Sequence, residues 1–170
     1  MRNLRDVRKP GSKGQRGTAA VEFALIAMVF FTLLLGIIEF GRVLYVWNTV
    51  QEVTRHAARE AVVSWENEAE TIKSLALFGG ASLPAGAEIT VDNINIEYLN
   101  LSGGVITNLP DDATANVQAC ADKDPVSCIA FVRVSLQATY VPMIGLFTFL
   151  SIDLPASTVV MPAESLGYTP

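Results

Sequence analysis

The chain has 170 residues, 51% of them apolar, with a formal net charge of −5 and one histidine. Its charge is unevenly spread: residues 1–17 carry six Lys/Arg against Asp6, a net of +5, and residues 39–170 carry six Lys/Arg against fifteen Asp/Glu, a net of −9. An acidic body without a basic patch argues against a nucleic-acid partner, and the length leaves room for one small domain with a modest core.

Residues 1–17 combine six cations with Pro10, Gly11, Ser12 and Gly14. Such a segment cannot bury a core, and it predicts a basic, flexible cytoplasmic leader. Phe23 to Ile38 is then apolar for sixteen residues, interrupted mildly by Thr32 and Gly36. Extending back through Thr18 gives the segment 18–38, which holds one charge, Glu22. At ~1.5 Å per residue these twenty-one residues reach roughly 31 Å, the thickness of a bilayer's hydrocarbon core. The expectation is a single transmembrane helix over 18–38. The cations before it place the N-terminus in the cytoplasm and the acidic body outside. A secretory signal also starts with positive charge, but its apolar region is shorter and ends in small residues. Here the run ends Ile37-Ile38-Glu39-Phe40, with no A-x-A pattern, so removal on the far side is not expected.

Glu22 stands out. A carboxylate within a span costs about 2.5–3.5 kcal/mol at the centre and less near the edge. Either it reaches the headgroups from one turn inside the cytoplasmic face, or it pairs with a specific charge. Ala20/Ala24 and Thr32/Gly36 are small residues four apart, a spacing that lets helices approach closely and that is also common in spans generally.

Residues 39–65 continue with helical spacing. Val43, Val46, Trp47, Val50, Val53, Ala57 and Ala61 form an apolar stripe. Glu39 and Arg42 are three apart and can pair at the outer membrane edge for a few tenths of a kcal/mol, and Tyr45 and Trp47 suit an interfacial aromatic belt. Residues 66–170 read as an extracytoplasmic α+β domain. Asn67–Phe78 is expected to be a short helix, with Asn67 as N-cap, Glu70 completing a capping box and Gly79-Gly80 ending it. Glu88–Leu99 reads as a strand whose phase breaks at Asp92-Asn93, and Val105–Leu109 as a short return after the turn at Ser102-Gly103-Gly104. A polar loop follows over 110–127. Ile129–Val141 alternates like a half-buried antiparallel strand and stops at Pro142. Met143–Leu150 is strongly apolar yet too short to span a bilayer; it reads either as a core helix turn, which is the expectation, or as an exposed patch that contacts a partner or lipid. Asp153–Met161 is the last strand, placed at an edge by Pro155. The fold class expected is α+β: a long N-terminal transmembrane and amphipathic helix on a small antiparallel sheet.

Cys120 and Cys128 fall in the expected outer domain, where disulfides persist. A bridge between them would contribute ~2–3 kcal/mol; metal binding is weak for want of a nearby third ligand, and two free thiols remain the other alternative.

Arg16-Gly17-Thr18-Ala19-Ala20-Val21-Glu22-Phe23 resembles the cleavage region of type IV prepilins. That resemblance implies a cut after Gly17, Thr18 as first residue and Glu22 as fifth, its charge set against the new α-amino group. A buried charge is tolerable when paired in this way. The longer pattern, Gly17 to Leu25, then Gly36-Ile37-Ile38-Glu39-Phe40-Gly41-Arg42, then Ala57-Ala58-Arg59-Glu60-Ala61, resembles the TadE-like minor pilins, or pseudopilins, of tight-adherence (Tad, Flp-type) pilus systems. Thr18 stands where type IVa pilins usually place Phe. The chain is also longer than major Flp pilins, and Glu22-Phe23 stands where many of those carry Glu-Tyr. Both departures point to a minor rather than a major pilin. The resemblance implies a pilin-like layout and a place in the cytoplasmic membrane. The implied partners are other pilin or pseudopilin subunits, the inner-membrane assembly platform, a prepilin peptidase and the lipid bilayer.

No H-E-x-x-H, G-x-S-x-G, phosphate-binding glycine loop or C-x-x-C occurs. His56 has no catalytic company, and Asp111-Asp112 and Asp122/Asp124 match no calcium loop. No enzyme activity, cofactor or metal is expected. The alternative to a processed subunit is an uncleaved, membrane-anchored binding or sensor domain, with Glu22 merely snorkelling.

Overall fold

A computed structural model describes residues 15–84, 86–124, 126–149 and 151–168. The expected leader lies outside them except for residues 15–17. The chain divides into two units, at Ile38 and Glu39.

The first unit is the opening part of helix α1 (Gln15–Ala61). Nothing in it interrupts the i→i−4 ladder, and Thr32 returns its hydroxyl hydrogen to the Met28 carbonyl at 2.8 Å, so no side-chain donor is left open there. From Gly17 to Ile38 every side chain is exposed or half-buried, Phe23, Leu25, Val29 and Leu33 among the exposed. Among the described residues α1 is the one helix long and apolar enough to cross a membrane.

The second unit is α+β. The remainder of α1 supplies Val46, Val50, Val53, Ala57, Ala58 and Ala61 to the core, every one of them buried. The expected stripe is thus the packing face, with Val43 and Trp47 at its margin. Ala58 and Thr54 join it; the Thr54 hydroxyl is buried because it donates to the Val50 carbonyl at 2.7 Å. A short 3-10 turn (Glu66–Glu68) leads into α2 (Ala69–Ala76). The capping box expected at Asn67 is not formed: Asn67 lies inside that turn and Glu68 occupies the N-cap without a side-chain bond. After the C-cap Leu77 the chain turns left-handed at Phe78 (φ 60°) and Gly79 (φ 76°), the Phe78 N–H donating to the Leu75 carbonyl at 3.0 Å and the Gly79 N–H to the Ser74 carbonyl at 2.8 Å.

Strands β1 (Ser82–Leu83) and β2 (Gly86–Thr90) form an antiparallel pair. The phase break at Asp92-Asn93 is a 3-10 turn (Val91–Asn93), where Thr90 and Asn93 close a capping box, and it separates β2 from β3 (Ile94–Leu99). The expected return strand at 105–109 shrinks to a single bridge, Leu99 to Val105. The polar loop over 110–127 contains α3 (Ala113–Ala121), whose N-cap Asp112 accepts from the Ala115 N–H at 2.7 Å. The expected strand over 129–141 divides into β4 (Phe131–Leu136) and β5 (Thr139–Tyr140), and the last one into β6 (Ile152–Asp153) and β7 (Ser157–Pro162). Pro155 falls between β6 and β7.

The main sheet has the order β3–β4–β7, antiparallel throughout, and β5 pairs with β6. In β4, Val132, Val134 and Leu136 face the core, while Arg133 on the other face meets its register partner Glu97 at 2.6 Å. Met143–Leu150 is not a core element. Its described residues include Met143, Leu146 and Phe149, all exposed, around a 3-10 turn (Gly145–Phe147). Of its described residues only Ile144 and Phe147 are partly covered.

Candidate functional site

Gly17, Thr18, Glu22 and Phe23 all lie on α1 and are exposed. A side chain placed at Gly17 would meet nothing within 4 Å. Glu22 and Phe23 sit one turn beyond it, Phe23 73% exposed, at the start of the apolar surface. The residues expected at the processing site therefore share an accessible helical stretch.

The second constellation is one that sequence reasoning saw only in part. Glu39 is buried, 7% exposed, in the first turn of the second unit. Its Oε1 accepts from the Tyr140 hydroxyl at 2.5 Å and from the Met143 N–H at 3.0 Å. Arg42 stands 3.5 Å from the same oxygen and forks onto both carboxylate oxygens of Glu88, at 2.9 and 3.0 Å. Its other terminal nitrogen donates to the Val141 carbonyl at 2.8 Å, and its guanidinium lies 4.7 Å from the centre of the Tyr140 ring. The expected pair, Glu39 and Arg42, is thus no loose surface contact. It is the inner part of a network joining α1 to β2, to β5 and to the segment after β5.

Helix spacing explains Glu39 and Arg42, since residues three apart share a face. Glu88 and Tyr140 arrive from strands about fifty and a hundred residues away respectively, so no local pattern announces them. Burial alone would raise the Glu39 carboxyl. The Tyr140 hydroxyl, the Met143 and Ile144 N–H groups and the Arg42 charge outweigh it and hold its pKa below the ordinary value. Burial, and then the bond to Glu39, push the Tyr140 phenol up to about 12. Two acids, one guanidinium and a phenol are thus locked in mutual bonds that tie α1 to β2 and β5. The arrangement fixes geometry.

Cys120 and Cys128 stand at disulfide distance, with the sulfurs 1.93 Å and the Cα atoms 4.7 Å apart. They tie the last turn of α3 to the approach to β4. Asn116 reinforces that tie, its side-chain oxygen accepting from the Ile129 N–H at 2.8 Å. Among the described residues no group of three or more His, Cys, Asp or Glu is placed to hold a metal ion. A groove of about 250 Å³ beside α1, lined by Trp47, Gln51, Arg55, Leu154 and Pro155, holds one charged side chain and no acid–base pair.

Compared with known proteins, residues 17–59 match the family described as TadE-like protein. The match opens at Gly17 and takes in Glu22, Glu39 and Arg42. No curated protein and no solved structure matches the chain.

Proposed function

We propose that this TadE-like chain is a minor pilin or pseudopilin that takes part in assembly of a Tad-type, type IV-like pilus. It enters the cytoplasmic membrane through residues 18–38, N-terminus inside, and a prepilin peptidase cuts it after Gly17. Thr18 then carries the free α-amino group, and Glu22 neutralises such a group in its own or a neighbouring subunit. Phe23 opens the packing surface. Its partners are other pilin subunits, the inner-membrane assembly platform and the peptidase, and it works by assembly rather than by catalysis. The observation that carries this reading is the family match beginning at Gly17, on a helix whose apolar surface is exposed and interrupted by the single acid Glu22. The +5 charge of residues 1–17 supports the orientation.

The test is the mature N-terminus. Co-expressed with the peptidase, the chain should yield a product beginning at Thr18 by intact mass and N-terminal sequencing. Gly17→Asp should abolish that product. Position 17 has open space around it, so the substitution does not disturb the fold. Full-length protein with and without peptidase would instead mark an uncleaved anchor carrying a binding or sensor domain.

A further inference from the structure

We propose that the loop over residues 141–149 is a second membrane contact, inserting Met143, Leu146 and Phe149 into the headgroup region of the leaflet at which the 18–38 span ends. The proposal rests on that span and not on cleavage after Gly17.

Three observations carry it. The first is exposure: Met143 is 69%, Leu146 52% and Phe149 79% exposed, three large apolar side chains within seven residues. Contiguous apolar surface of this kind marks a contact. The turn is also ordered, with the Phe147 N–H on the Ile144 carbonyl at 2.8 Å and the Thr148 hydroxyl on the Gly145 carbonyl at 3.1 Å.

The second is position. The Met143 N–H is bonded to Glu39, and the Val141 carbonyl to Arg42. Glu39 follows Ile38 by one peptide bond. Whatever the orientation of the domain, these bonds hold the loop within a few residues' reach of the point where the chain leaves the apolar segment. Phe40, the residue after Glu39 on α1, is itself 63% exposed.

The third is charge. Residues 141–152 contain no Asp, Glu, Lys, Arg or His, although residues 39–170 carry a net −9. A docking site for a folded partner is normally rimmed with polar and charged groups. A charge-free turn tipped with Met, Leu and Phe is suited to acyl chains and headgroups instead. The acidity of the domain also means that attraction to anionic lipid is not what drives the contact.

The full chain is reconstituted in phosphatidylcholine vesicles with plain or brominated acyl chains. Tryptophan is introduced at one site at a time, and its emission is taken as the difference from the parent, which already holds Trp47 and Trp65. Phe30→Trp reports on the span and Phe149→Trp on the loop. Leu101→Trp is the control: it is exposed and follows Leu99, at the end of the sheet away from Leu136 and β5. Brominated lipid should quench the added emission at positions 30 and 149 and spare it at 101. Quenching at 30 without quenching at 149 would overturn the proposal. So would blue-shifted, unquenched emission at 149 that reverts as chains are diluted in lipid, since a second copy would then cover the loop. Absence of quenching at 30 would remove the span and the proposal together. The N-terminal residue after peptidase treatment reports separately on the pilin reading.

Discussion

At the scale of single residues, two tyrosines make opposite cases. Tyr140 is buried and spends its hydroxyl on Glu39. Tyr140→Phe keeps the ring and strips the carboxylate of a donor in a place water cannot replace it, which should destabilise the domain by about 1–3 kcal/mol. Tyr98 is also buried, but among the described residues its hydroxyl finds no hydrogen-bond partner. Burial, with the charge of Glu66 behind it, pushes that phenol up to about 12. Tyr98→Phe removes an unsatisfied group and should be neutral or stabilising by up to about 1 kcal/mol. Urea unfolding of the full chain in detergent, followed by Trp47 and Trp65 fluorescence, reads both. Equal changes in the two variants would mean that the bond from the Tyr140 hydroxyl to Glu39 contributes nothing of its own.

Among the elements, α3 is the one most dependent on a staple. It is nine residues long and buries Asn116 alone, the others being exposed or half-buried. Asp112 caps its start, and the Cys120–Cys128 link holds its end against the approach to β4. Replacing both cysteines with serine should cost about 2–3 kcal/mol, and hydrogen exchange should rise in 113–121 before it rises in β4. Uniform loss across the domain would argue against α3 as the weak unit. The same element shows where sequence reading fails. The α1 stripe was legible from Val43 to Ala61 because a long helix repeats its burial at three- and four-residue steps. The alternation of Val132, Val134 and Leu136 was legible for the corresponding reason in a strand. In α3 the run Ala113-Thr114-Ala115-Asn116 has neither period, because so little of the helix is buried. The 143–149 loop was misread from the opposite side: its composition is that of a core, and only the tertiary fold, which leaves Met143, Leu146 and Phe149 exposed, shows that it belongs outside. In the network, Glu39 and Arg42 were legible as neighbours, whereas Tyr140 and Glu88 come from distant strands that only the tertiary fold brings in.

For the molecule as a whole, the buried network couples folding to acidity. The folded Glu39 carboxyl binds its proton less tightly than the unfolded one, whose ordinary value is 4.5. The unfolded chain therefore takes up more protons in that range. The stability Glu39 contributes is intact above the ordinary value and is lost as pH falls through the lower folded value. Tyr140 is the mirror case: its contribution is intact below its ordinary value of 10 and is lost as pH rises towards about 12. The urea midpoint should decline on the acid side in the parent and more shallowly in Glu39→Gln, whose baseline is lower throughout. An identical acid slope in both would assign the effect to other carboxylates. The order β3–β4–β7 has a further consequence. The central strand keeps one bare edge until the last one is made, and Leu166, buried near the far end, donates its N–H to the Val62 carbonyl just past α1. A chain cut before Ser157 would leave that edge of β4 unpaired, a template for pairing with another strand.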